Sequence, residues 1–178
     1  SHGEIYSLAI NSAKGTAPTK FYEHKTGPIV GLKICTQKTL LVAVALDCKI
    51  LIFLQDTIAT VQINMKPINI DISGTYLYVV ALGQAIFFID LGSATLKDSD
   101  SAQKLLKVAQ SQLQYQIKSI SVSKNKPDRY IIGSIYGQCE IIDGSTRNIV
   151  NCHREENHNQ IFSSNCVAMV AEYPWAIS

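Results

Sequence analysis

Three times along the chain an apolar run breaks at two residues and resumes as a second apolar run. The segments are "LLVAVALDCKILIFLQD", "YLYVVALGQAIFFIDL" and "RYIIGSIYGQCEIIDG", and they break at Asp47-Cys48, Gly83-Gln84 and Gly137-Gln138. Paired apolar runs with so short a polar break between them are β-hairpins. Glycine at the first central position of a two-residue loop supplies the positive φ of a type II′ turn, so both Gly-Gln pairs are expected as hairpin tips of that type. Gly3-Glu4, just before "IYSLAI", is expected as a fourth tip. A further strand precedes each hairpin ("GPIVGLKI", "KPINIDIS", "YQIKSISVS"), and a weaker one follows ("TIATVQI", "KLLKVAQ", "NIVNCH"). Each unit therefore has four antiparallel strands.

Gly83 follows Asp47 by 36 residues, close to the roughly 40-residue period of a propeller blade. The next step is lengthened by the polar insertion "GSATLKDSDSAQ". Inner strands that are apolar on both faces suit a sheet sandwiched between two others, whereas a half-exposed sheet would alternate. The expected fold is an all-β propeller, with blades over 26–64, 65–112 and 113–158, the end of one blade over 1–25 and the start of another over 159–178. Within "SAQKLLKVAQSQLQ" an outer strand matches the other units; the alternative is a short helix, which would gather Leu105, Val108, Ala109 and Leu113 on one face.

At 178 residues, 47% of them hydrophobic, the chain has the size of one globular domain with a substantial core. A net charge of +2 supplies no basic stripe for nucleic acid. The longest apolar run, "TLLVAVAL", is far short of a membrane span, and no signal-peptide pattern opens the chain; an intracellular protein is expected. Five cysteines (Cys35, Cys48, Cys139, Cys152, Cys166) without a C-x-x-C pair suit reduced thiols better than a disulfide framework.

Few residue clusters suggest chemistry. Cys152, His153, His158 and Cys166 are zinc-ligand types, but neighbours on a strand point to opposite faces, which separates Cys152 from His153 as ligands and equally as nucleophile and base. Glu155-Glu156 reads as a solvated loop, and "KNKPDR" as a connection rich in turn formers. No glycine-rich phosphate loop is present. No enzyme, cofactor or metal is expected.

Several motifs in order carry a family resemblance. "LQYQIKSISVSKNKPDRYIIGSIYGQCEIID" followed by "NCHREENHNQIFSSNCVAMV" resembles the WD-repeat family of the mitotic checkpoint protein and the mRNA export factor. "ISGTYLYVVALGQAIFFIDL" is similar to the preceding blade of the checkpoint branch, and the resemblance spans about Thr26 to Ala176. The generic Gly-His and Trp-Asp signatures are missing; Asp90 and Asp143 keep only the aspartate. A seven-bladed ring takes roughly 280 to 330 residues, so the chain is expected to hold about four of seven blades.

The resemblance implies an adaptor that presents one rim to peptides. Its expected partners carry acidic GLEBS-type motifs, as in checkpoint kinases, or phosphorylated MELT-type motifs of a kinetochore scaffold. The implied localisation is the nucleus and the kinetochore, with a cytoplasmic pool. The alternatives are an export-factor-type adaptor at a nucleoporin and a divergent scaffold. By motif position the resemblance places peptide binding at Lys118, in "YQIKS", and at His153 and Arg154, in "NCHRE". Leu46 stands where the family has tryptophan, Gln138 where it has arginine, and Asn151 where it has lysine or arginine.

Overall fold

The computed structural model describes residues 3–7, 17–152, 154–155, 160–161, 163–169 and 176–177. Among them are three four-stranded antiparallel sheets, each a meander. The first contains β3 (Ile29–Cys35), β4 (Leu40–Ala45), β5 (Lys49–Phe53) and β6 (Ile58–Gln62). The second contains β7 (Pro67–Ser73), β8 (Tyr76–Ala81), β9 (Ala85–Asp90) and β10 (Lys107–Gln110). The third contains β11 (Ile117–Val122), β12 (Arg129–Ser134), β13 (Gln138–Asp143) and β14 (Thr146–Asn151). Two-stranded pieces flank them: β1 (Gly3–Ser7) with β2 (Thr19–His24), β15 (Arg154–Glu155) with β16 (Gln160–Ile161), and β17 (Ala168–Met169) with β18 (Ala176–Ile177). The three sheets stack face to face as blades of a WD-repeat-type β-propeller. No helix among the described residues is long and apolar enough to cross a membrane.

The doubly apolar inner strands follow from this stacking. Successive side chains of a strand point to opposite faces, and here each face meets another sheet. On β5, Ile50 and Ile52 join a cluster with Val79, Phe87 and Ile89 of the second sheet. Between them Leu51 points the other way, to Ile5 of β1. On β8, Leu77 and Val79 face the first sheet, while Tyr78 and Val80 pack on Ile120, Tyr130 and Ile132 of the third. Burying one such aliphatic side chain contributes about 1.5 to 3 kcal/mol.

The innermost strands β3, β7 and β11 lie side by side, one from each blade. Asp71 on β7 joins both neighbours, accepting from Lys33 Nζ at 2.9 Å and from the Val122 backbone N–H at 2.9 Å. Packing here is tight at Gly31, where an added Cβ would lie 2.0 Å from Ile70 Cγ2.

The insertion resolves into two elements. α1 (Ser99–Leu105) comes first and the outer strand β10 follows. The outer strand expected over this segment is thus confined to 107–110, and a helix occupies the part before it. Its start is fixed by a capping box: Asp98 accepts from the Ser101 backbone N–H at 2.8 Å, and Ser101 Oγ accepts from the Asp98 N–H at 3.0 Å. Two bonds each satisfy one of the donors left free in a first helical turn. α1 also covers the outer edge of the first blade, where Ser99 Oγ and Gln103 Oε1 accept from the Thr60 and Gln62 N–H groups at 2.9 and 2.8 Å. Open edges invite strand pairing, and this one is closed. The single helical face does not form, since Val108 is 61% exposed and Leu113 only 2%.

Gly3-Glu4 is not a tip. Both residues lie inside β1, paired with His24 and Glu23 of β2.

Candidate functional site

The tips at Asp47-Cys48, Gly83-Gln84 and Gly137-Gln138 stand at one end of the three blades, where the connections between blades also run. In the first, Leu46, Asp47 and Cys48 form a three-residue loop closed by the Cys48 N–H on the Ala45 carbonyl at 3.1 Å, with Cys48 at φ 66°. In the second, Gly83 has φ 70° and ψ 24°, and Gln84 has φ 61°. Both values are left-handed, so the expected type II′ turn, which needs positive φ only at its first central residue, does not form there. Gly137 has φ 64°.

The three tips share one construction. The residue after each buried strand end is large, apolar and exposed: Leu46 at 39%, Leu82 at 43% and Ile135 at 41%. Its N–H is spent on the adjoining connection, with Leu46 donating to Pro28, Leu82 to Lys66 and Ile135 to Gln116, each at 3.0 Å. A fixed backbone thus holds an apolar side chain in water at every tip. Beside it each innermost strand carries a one-residue bulge, at Val30, Ile68 and Lys118 in turn. Bulges re-aim side chains at sheet ends. At this rim the Tyr115 and Tyr136 rings also stack, with centroids 4.2 Å apart and planes at 26°.

Lys118 therefore occupies the bulge of the third blade, is exposed, and makes no ion pair among the described residues. Arg154 opens β15 and pairs with Ile161. His153 lies outside the described residues. Gln138 and Asn151, where the resemblance leads one to expect cations, face each other across β13 and β14, and Gln138 Nε2 donates to Asn151 Oδ1 at 3.2 Å. The two amides thus satisfy each other as a neutral pair.

At the first blade's corner, Asp47 gathers His24 Nε2 at 3.0 Å, Thr26 Oγ1 at 2.5 Å and Lys49 Nζ at 2.8 Å. Partial burial pushes its carboxyl up, but the hydrogen bonds from Lys49, Thr26 and His24 outweigh it and hold the pKa down to about 2. This network ties the end of β2 to the tip of the next sheet. Residue patterns missed it because its members lie 21 and 23 positions apart. The Tyr115–Tyr136 stack was missed for the same reason, although both tyrosines fall within the quoted motifs.

No group of three or more His, Cys, Asp or Glu among the described residues could hold a metal ion. Cys35 and Cys139 are buried, Cys48 and Cys152 are half-buried, and Cys166 is exposed.

No family model and no curated protein sequence matches the chain. Among solved structures it is similar to Raptor of Chaetomium thermophilum, at 12% identity and a TM-score of 0.63 over 86% of this chain. The match spans 15% of the Raptor chain. Likeness at that identity shows the architecture, and one architecture hosts many functions.

Proposed function

We propose that this chain belongs to a non-enzymatic propeller adaptor that binds a peptide segment of a partner protein along the rim of hairpin tips. One observation carries the reading: Leu46, Leu82 and Ile135 repeat as exposed apolar side chains on rigid tips, beside the stacked Tyr115–Tyr136 pair and the exposed cation Lys118. Binding hot spots favour rigid aromatic anchors in a patch that excludes water. A lysine at the margin adds selectivity for acidic segments and speeds encounter.

The finer reading comes from the motifs. They support a checkpoint-type adaptor, acting at the kinetochore in the nucleus, for acidic GLEBS-type and phosphorylated MELT-type segments. Lys118, His153 and Arg154 would supply the positive charge. The neutral Gln138–Asn151 pair lowers the rim's charge, so binding is expected at the weak end and sensitive to salt. The second reading is an export-factor-type adaptor for a nucleoporin, favoured by "NKP" ahead of the third hairpin.

Affinity capture on the parent chain and on a Leu82→Asp variant, with identification of the bound proteins, tests both readings. If the rim binds the partner, a set of proteins captured by the parent is lost from the variant. Kinetochore components would favour the first reading and nucleoporins the second. Identical partner sets on parent and variant would remove the rim from the account.

A further inference from the structure

At the end of the blades opposite the tips, the second and third sheets part around a cleft of about 410 Å³, within the usual range of small-ligand sites. Its walls are aromatic: Tyr78 lies 5.3 Å from Tyr130 and 5.7 Å from Phe88, centroid to centroid, with the planes tilted. Tyr78 is fixed by donating its hydroxyl to the Pro127 carbonyl at 2.5 Å. Tyr130 is different. It is only 6% exposed, lines the cleft, and its hydroxyl makes no hydrogen bond among the described residues.

Two carboxylates stand at the mouth, Asp90 and Asp128. Asp90 uses Oδ1 for Thr75 Oγ1 at 2.9 Å and the Gly92 N–H at 2.8 Å, and its Oδ2 has no partner among the described residues. The Asp128 carboxylate has none there either. Of the two lining cations, Arg147 is committed, donating to Glu140 Oε1 at 3.2 Å and to the Gln110 carbonyl at 2.8 Å. Lys107 is exposed on the margin and makes no ion pair among the described residues.

We infer that this cleft binds the side chain of an arginine carried on a peptide. The uncommitted acceptors are spread over three side chains, and aromatic faces lie beside them. A guanidinium suits both, because its planar fork offers five donors and stacks on aromatic rings. A lysine ammonium offers a point charge without the plane. A trimethylated ammonium would leave every acceptor unpaired. This site is separate from the tip rim, and its occupant has the opposite charge to the acidic segments proposed there.

The test is calorimetry of the whole chain with N-acetyl-Gly-Arg-Gly-amide, with the same peptide carrying citrulline, a neutral isostere, and with the lysine peptide. Saturable binding of the arginine peptide is expected, at least about tenfold tighter than citrulline and a few-fold tighter than lysine. Asp128→Asn should weaken it about five- to tenfold and Tyr130→Phe about threefold, because each removes an acceptor. Lys107→Gln should tighten it about two- to threefold by removing a like charge. Lys118→Glu, at the other rim, should leave it unchanged, and matched melting temperatures would establish that the variants are folded. Equal binding of the citrulline peptide, no saturation by the arginine peptide up to about 10 mM, or weaker binding by Lys107→Gln would each overturn the assignment.

Discussion

Gly137 holds φ at 64° in the third tip, a region that β-branched residues almost never enter. Gly137→Val is therefore expected to destabilise the protein by about 1 to 3 kcal/mol, read as a lower urea midpoint with unchanged slope; an unchanged midpoint would show that the tip relaxes to negative φ. Asp47 gives a second test, through pH. Its carboxyl is held at about 2 against an ordinary 3.8, so its stabilisation is present in full above about pH 4 and is lost as pH falls through 2. The shift corresponds to roughly 2 kcal/mol at neutral pH. Asp47→Asn should cost about that much at pH 6 and about half as much at pH 3, measured by urea unfolding of both proteins; a gap independent of pH would refute the linkage. Legibility differs between these two residues. Gly137 announces itself in its own dipeptide, whereas Asp47 matters through His24 and Thr26, which no local pattern connects to it.

The hairpins were legible because each inner strand is buried on both faces, and such strands can only be apolar runs with sharp ends. Outer strands are weaker signals. β14 buries little, with Ile149 and Val150 47% and 43% exposed, so its sequence, TRNIVN, is mostly polar. The segment 99–110 misled for a related reason: its helix is started by side-chain to backbone bonds at Asp98 and Ser101 and packs on the core only through Ala102 and Leu105. Another link between elements was invisible in the sequence. Glu140 on β13 is 0% exposed, yet it accepts from Ser111 Oγ at 2.6 Å, the Gln112 N–H at 2.9 Å and Arg147 at 3.2 Å, fastening the second blade to the third. A buried carboxylate persists only when paired and hydrogen-bonded. Glu140→Ala strands these donors and is expected to cost about 3 kcal/mol; Glu140→Gln keeps the shape and an acceptor and should cost less. Chemical denaturation of the two variants decides, and equal losses would mean that the bonds at this junction carry no weight.

Across the molecule, stacked blades bring together residues that sequence spacing keeps apart, and they do so differently at the two ends. The tip end collects apolar and aromatic side chains with a lysine; the opposite end collects tyrosines with carboxylates. The family motifs pointed to the first end through Lys118, but not to the apolar side chain shared by all three tips, because leucine or isoleucine inside an apolar run reads as core. Only the fold shows that Leu46, Leu82 and Ile135 leave the core. We propose that this rim binds an acidic peptide. The most direct measurement is calorimetry with a GLEBS-type peptide at low and physiological salt, on the parent, Lys118→Glu and Tyr136→Ala. Binding by the parent should weaken with salt, Lys118→Glu should bind about tenfold more weakly at low salt, and the loss for Tyr136→Ala should persist at both salts. Binding of equal strength by all three proteins would contradict it.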